Sequence, residues 1–394
     1  MIPDEKKRGS FLPFCRPTIG EEEIAEVVES LRSGWITTGP KVSKFEEIFK
    51  NRLGVRNAIA VNSATSGLHL AAAALNLKPE DEVIVPALTW AATANVVELC
   101  GARTVFADVD PDTLCIDPDD AARRITRRTR AIIPVHYAGQ PADLDRFIEI
   151  TERKGLAFIE DAAHALGTSY KGREIGSSGN VVVFSFHPIK NITTGEGGMI
   201  MCNDDALADR FRLLRFHGVS KDAWKRYHRG GVPEYDIVEP GWKFNMLDIQ
   251  AAIGLHQMNK LADFNARRAK LAALYTKLLA DAPEIVPLGL TRYPSVHAWH
   301  LFIVRLDLKA VKTDRNEFML ALQEENIGTG LHFPTLHMSS YYRGKYGYKS
   351  GDLPNAEKAG NSIFSLPLYP LMSEGDAEDV VRAIKAVIAK NRRS

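Results

Sequence analysis

The side chain best placed for covalent chemistry is Lys190, in the run Phe184-Ser185-Phe186-His187-Pro188-Ile189-Lys190-Asn191-Ile192-Thr193-Thr194-Gly195-Glu196-Gly197-Gly198. It follows an apolar strand pattern, where a buried amine can meet a carbonyl. A free lysine amine has a pKa of about 10.4 and is mostly protonated, hence not nucleophilic; one confined beside a cofactor can lose its proton and form a Schiff base. Lysines that carry pyridoxal phosphate are presented in this way, and Ser185 stands close enough in sequence to meet the phosphate. An exposed loop lysine behind a core strand is the alternative these residues alone leave open.

Asp161, in Phe158-Ile159-Glu160-Asp161-Ala162-Ala163-His164, stands just past a second buried strand pattern, where a carboxylate can face a basic ring nitrogen. A carboxylate there keeps a pyridine protonated, and a protonated ring is the better electron sink when an amino acid loses its α-proton. The other role for Asp161 is to cap a helix that follows. His164, expected one helical turn further on, is placed to reach a cofactor's phenolic oxygen, or to be a satisfied core histidine. Val61-Asn62-Ser63-Ala64-Thr65-Ser66-Gly67 joins a strand to a helix, gathering unpaired N–H groups and small hydroxyls at one helix N-terminus, which suits either a phosphate or an ordinary cap. Trp90 leaves the strand pattern Val83-Ile84-Val85 and can lay a flat face on a planar cofactor or fill the core. Gly195-Glu196-Gly197-Gly198 precedes a strand instead of a helix, which argues against dinucleotide binding.

The elements that must position these residues read as α/β. From Asn57 to Cys202, short β-rich runs alternate with helical patterns, which predicts a mainly parallel sheet covered by helices, with ligands beyond the carboxyl ends of its strands. The sequence divides into a large domain over 1–260, including the N-terminal segment, and a smaller α+β domain over 261–394. A long helix is expected over Leu247–Leu279, a strand over Trp299–Leu306, and helices over Asp314–Glu325 and Asp376–Lys390. Phe216 to Gly241 reads as a long loop. The 394 residues are 45% hydrophobic and 25% charged, with 50 Lys plus Arg against 49 Asp plus Glu, so no global charge favours nucleic acid or an acidic membrane. Cys15, Cys100, Cys115 and Cys202 are widely spaced and lack a C-x-x-C pair, which fits reduced thiols, no metal site and a cytoplasmic setting. No apolar run is long enough to span a bilayer.

Taken together, several segments resemble the pyridoxal-phosphate nucleotide-sugar aminotransferases of the DegT/DnrJ/StrS group, within fold type I. They are Ser33-Gly34-Trp35-Ile36-Thr37-Thr38-Gly39-Pro40-Lys41-Val42, Leu88-Thr89-Trp90, Pro134-Val135-His136-Tyr137-Ala138-Gly139, Glu160 to Ala165, Phe184 to Asn191, Arg215-Phe216-His217-Gly218, His297 to Phe302 and Gly328 to Phe333. Within the group, the chain is most similar to the UDP-4-amino-4-deoxy-L-arabinose:oxoglutarate aminotransferases, whose sugars serve lipopolysaccharide and lipid A. The resemblance implies that Lys190 forms the Schiff base, Asp161 pairs with the pyridine nitrogen, and His164 approaches the phenolic oxygen. It further implies that Trp90 stacks on the ring and that Ala64, Thr65 and Ser185 hold the phosphate.

Two positions depart from much of the group. A Gln is usual at the place of His164. An Asn-x-Arg is usual at Lys243-Phe244-Asn245, the Asn reaching a neighbouring subunit's phosphate; here Lys243 would supply a cation. The resemblance also implies a homodimer with shared sites and a UDP- or dTDP-keto-sugar substrate, with L-glutamate as donor. Thr37, Thr38, His187 and His332 would be pocket walls, and Lys221, Lys225 and Arg229 diphosphate partners. A sugar dehydratase of the same fold carries His where Lys190 stands, which argues against that activity. A non-catalytic regulator keeping the fold would have no need of Lys190, Asp161 and Trp90 together.

Overall fold

A computed structural model describes residues 7–219 and 235–393. Its central sheet has seven strands in the order Asn57–Val61, Gly198–Cys202, Val181–Ser185, Ala157–Asp161, Thr129–Ile132, Glu82–Pro86 and Arg103–Ala107. Asn57–Val61, Glu82–Pro86 and Gly198–Cys202 are buried at every position, as strands covered on both faces must be. All pairings are parallel except those of Gly198–Cys202, which runs antiparallel to both neighbours, with Ile59 opposite Ile200 on one side and Val183 opposite Ile200 on the other. The segment carrying Lys190 is therefore the connection of an antiparallel pair. The carboxyl ends of the other six strands and the amino end of Gly198–Cys202 share one edge of the sheet, so Ser63, Trp90, Asp161 and Lys190 converge there.

The expected long helix spans Asp248–Leu278 and is about 46 Å long. Its early residues Ala251, Leu255, Met258 and Leu261 pack with Phe45, Phe49, Phe184 and Phe186. Its later residues Leu271, Ala272 and Tyr275 join a second core built on the antiparallel strands Ile285–Pro287, Phe302–Leu306 and Ile363–Leu366. Leu12 of the N-terminal segment also packs in this second core, and its N–H donates to the Asn326 carbonyl.

The expected strand over Trp299–Leu306 begins only at Phe302, because Trp299 has a φ of 48° and cannot lie in an extended strand. The helix expected from Asp376 begins at Glu374: Ser373 is the N-cap, its hydroxyl accepting from the Asp376 N–H while the Asp376 carboxylate accepts from the Ser373 N–H. Asp314 likewise caps the helix Arg315–Glu324 from outside. No helix among the described residues is long and apolar enough to cross a membrane.

Candidate active site

A cavity of about 890 Å³ opens at the convergent edge of the sheet, lined by Ala64, Thr65, Trp90, Asp161, His164, Ser185, His187, Lys190 and His332 among others. Lys190 sits in the hairpin after Val181–Ser185, and its Nζ lies 3.5 Å from His300 Nε2. Burial pulls its pKa from 10.5 down to about 8, while the Asp161 and Glu196 charges pull it partly back. About one amine in ten is then neutral at pH 7, against a few in ten thousand for an ordinary lysine.

No helix follows Asp161. Residues 162–167 form turns, which corrects both the capping role and the helical placement of His164. The Asp161 carboxylate instead accepts from the Ala163 N–H at 3.1 Å and from the Thr93 hydroxyl at 2.8 Å, and Thr93 in turn meets Thr89 at 2.9 Å. Burial raises its pKa, a cost that hydrogen bonds from Thr93 and Ala163 and the Lys190 charge only partly offset. A buried carboxylate facing a cavity in this state favours a cationic partner such as a protonated ring nitrogen.

His164 is buried and its pKa lies far below the usual value, chiefly through burial, so the ring is neutral. Its Nδ1 accepts from the Ala138 N–H at 3.3 Å; a neutral imidazole accepting at Nδ1 carries its proton on Nε2. That leaves an N–H donor for a phenolic oxygen. Trp90 is 62% exposed and touches Phe333, with ring centroids 5.7 Å apart, so a large face is free for stacking.

At the phosphate end, Ser63 caps the helix Ala64–Ala73 by accepting from the Ser66 N–H at 3.1 Å, and the Ser66 hydroxyl donates to Asn62 at 2.6 Å. Ala64 and Thr65, as first-turn residues, have N–H groups with no intrahelical acceptor. Gly198 closes against this turn: a Cβ there would stand 2.7 Å from the Ala64 nitrogen. Ser185 faces the same cavity from the strand end. The donor set of a helix N-terminus and a hydroxyl suits a phosphate dianion.

Thr37, Thr38 and Lys243 do not line this cavity within one chain. Thr37 is exposed. Thr38 is buried in structural hydrogen bonds, donating to the Met246 carbonyl at 2.5 Å and accepting from Asn245 at 2.6 Å. Lys243 places its ammonium 4.0 Å from the centre of the Phe216 ring. Lys221, Lys225 and Arg229, with most of the expected 216–241 loop, lie outside the described residues. Sequence reasoning gave no role to Thr93, nor to Phe333 and His300, which lie in segments that carried only the resemblance. Thr93 carries the one readable signal: a hydroxyl one helical turn after Trp90 in an otherwise small apolar run.

The sequence matches the DegT/DnrJ/EryC1/StrS aminotransferase family over residues 17–385. The chain belongs to that family. It is similar to protein MJ1066 of Methanocaldococcus jannaschii, 47% identical over 385 residues that cover 98% of this chain and 100% of the relative. Among solved structures it resembles Spr1654 of Streptococcus pneumoniae in its PLP form, at 33% identity and a TM-score of 0.89, covering 96% of this chain and 99% of that one. The same Spr1654 has been solved in PMP and apo forms. It also resembles the sugar aminotransferase CalS13 of Micromonospora echinospora, at 30% identity and a TM-score of 0.85, covering 95% and 99% of the two chains. As a DegT/DnrJ/EryC1/StrS member, the chain is a pyridoxal-phosphate-dependent aminotransferase of fold type I. The cavity fits that cofactor, offering an amine of depressed pKa, a buried carboxylate, an Nε2–H donor, an uncovered indole and a phosphate seat.

Proposed function

We propose that this aminotransferase moves the amino group of L-glutamate to the 4-keto carbon of a UDP-linked pentose, giving a product of the 4-amino-4-deoxy-L-arabinose type. The observation that carries the reading is the joining, in one cavity, of Lys190, Asp161 and His164 with room beside His187 and His332 for a sugar. When bound, pyridoxal phosphate supplies the carbonyl that takes up the amino group and the electron sink that makes the donor's α-hydrogen acidic. Lys190, released as a free amine, takes that proton and later returns one to the sugar carbon. Asp161 holds a proton on the ring nitrogen, His164 donates from Nε2, and the Ser63–Thr65 turn with Ser185 anchors the phosphate.

His332 is pushed by burial to about 3 and hydrogen-bonds Ser365 through Nδ1 at 2.9 Å; burial also lowers His187. Both are thus neutral imidazoles near pH 7, suited to sugar hydroxyls instead of a diphosphate. A cytoplasmic homodimer completes the reading. Thr37 and Lys243 would then face the partner's site, with Thr38 holding that loop in place through Met246 and Asn245, and 1–260 and 261–394 would be its two domains. Lipopolysaccharide and lipid A modification are the proposed destination of the sugar. Mixing Lys190→Ala with Lys243→Ala protein should restore activity once subunits exchange; verified exchange without recovery removes the shared-site assignment.

The sugar is tested by comparing kcat/KM for a UDP-4-keto-pentose and a UDP-4-keto-6-deoxyhexose with glutamate as donor. One methyl at C5 separates them, so a preference for the pentose of about 10- to 200-fold is expected. A clear preference for the 6-deoxyhexose would overturn the pentose assignment and favour the second substrate.

A further inference from the structure

We propose that His300 is a positioning residue that holds the free amine of Lys190 within reach of the cofactor carbonyl between the two halves of the reaction. The inference rests on Lys190 being the cofactor-bound lysine. In such a reaction that amine is alternately bound and free, and a free lysine has four rotatable bonds by which to leave. Its side-chain hydrogen-bond partner is His300 Nε2, at 3.5 Å.

His300 is 1% exposed, and its other ring nitrogen, Nδ1, is buried with no hydrogen-bond partner among the described residues. A buried polar atom left unpaired costs stability, so a ring tolerated in this state has a reason to face Lys190. The ring is also rigidly set. The fully buried Arg268 guanidinium donates to the His300 carbonyl at 3.2 Å and to the Leu368 carbonyl at 2.7 Å. On either side, Ala298 N–H donates to the Gly139 carbonyl at 3.1 Å and Leu301 N–H to the Ala138 carbonyl at 3.2 Å. Ala138 is the residue whose N–H fixes His164, so one loop orients both imidazoles, whose centroids are 4.3 Å apart. Gly139 has a φ of 101°, and a Cβ there would stand 3.1 Å from the backbone nitrogens of Trp299 and His300, which shows how closely the two segments approach.

The charged and titratable groups acting on the Lys190 amine or on the His300 ring come from every side. They are Asp161 and His164 from the sheet edge, Glu196 from the hairpin, Cys15 from the N-terminal segment, Arg268 from the long helix and His332 from the segment next to Phe333. Burial, reinforced by the Lys190 and Arg268 charges, keeps His300 far below its usual range, so it is neutral and accepts from the ammonium. His300→Phe keeps the ring's bulk and removes the acceptor; His300→Gln restores one.

The test measures the pH dependence of Lys190 acylation in the full-length protein stripped of cofactor, read on the Lys190 peptide by mass spectrometry with the fold checked by circular dichroism. The Lys190 midpoint should fall by about 0.5 to 1 unit in His300→Phe and return towards wild type in His300→Gln. In the holoenzyme, kcat should fall about tenfold with the donor KM changed less than about twofold, the pattern of a lost positioning contact. If His300→Phe does not fold, His300→Leu against His300→Gln gives the same comparison. An unchanged or raised midpoint in a folded acceptor-free variant overturns the proposal. Borohydride trapping of wild-type holoenzyme followed by peptide mapping tests Lys190 separately, so failure of one reading is distinguishable from failure of the other.

Discussion

Replacing Lys190 by Met should make the cofactor-free protein more stable while abolishing turnover. The amine is charged at neutral pH, yet it lies where burial depresses its pKa from 10.5 to about 8. A gap of about 2.5 units at 1.36 kcal/mol each corresponds to about 3 kcal/mol against the folded state. Solvent entering the open cavity screens the charge, and about 1 to 2 kcal/mol is the expected gain for Lys190→Met. The pH dependence has a definite sign. The unfolded chain binds the proton more tightly, so the penalty is full below the folded pKa of about 8 and fades as pH rises through about 10.5. The wild type should therefore catch up with the variant between these limits. Urea unfolding of both proteins at one fixed chain concentration, at pH 7 and at pH 10, measures the difference. A variant less stable than wild type at pH 7, or a gap that widens with pH, would refute the reasoning.

Two further outcomes follow from the site. Asp161→Asn removes the carboxylate that keeps a ring nitrogen protonated, and single-turnover reaction with the amino donor should slow on the order of a hundredfold while cofactor retention changes little; a wild-type rate would leave Asp161 with only its Thr93 and Ala163 hydrogen bonds. Gly198→Ala would press a methyl against the first turn of the phosphate-binding helix, costing about 1 to 3 kcal/mol of stability; it should also weaken cofactor affinity in equilibrium dialysis, and unchanged affinity would remove Gly198 from the account.

Much of this was readable from sequence because the seven-stranded sheet is built mostly from consecutive strand-and-helix units. The buried runs around Ile59, Ile84 and Val182 are near-continuous apolar segments, and such runs announce strands covered on both faces. Chemistry then falls at strand ends, where Asp161 and Lys190 stand. The antiparallel direction of Gly198–Cys202 was not readable, since direction depends on which neighbours a strand finds. The turn after Asp161 was missed because Ala162-Ala163-His164-Ala165 has good helix formers, yet the backbone there follows the Asp161 side chain, which claims the Ala163 N–H. The role of His300 was unreadable for another reason: its partner is 110 residues away, and no local pattern reports such a contact.

The reversed strand Gly198–Cys202 also bears on how the protein is made. It lies between Asn57–Val61 and Val181–Ser185, so the first strand waits for a partner that emerges from the ribosome about 140 residues later. Until then its edge is open to other chains, a vulnerable interval for a nascent polypeptide. Gly198 backs the turn at Ser63 and Ala64, so the phosphate seat acquires its rear wall only when that strand inserts. Completion of the phosphate seat and closure of the sheet are thereby tied to one step of synthesis, the emergence of the sheet's last strand.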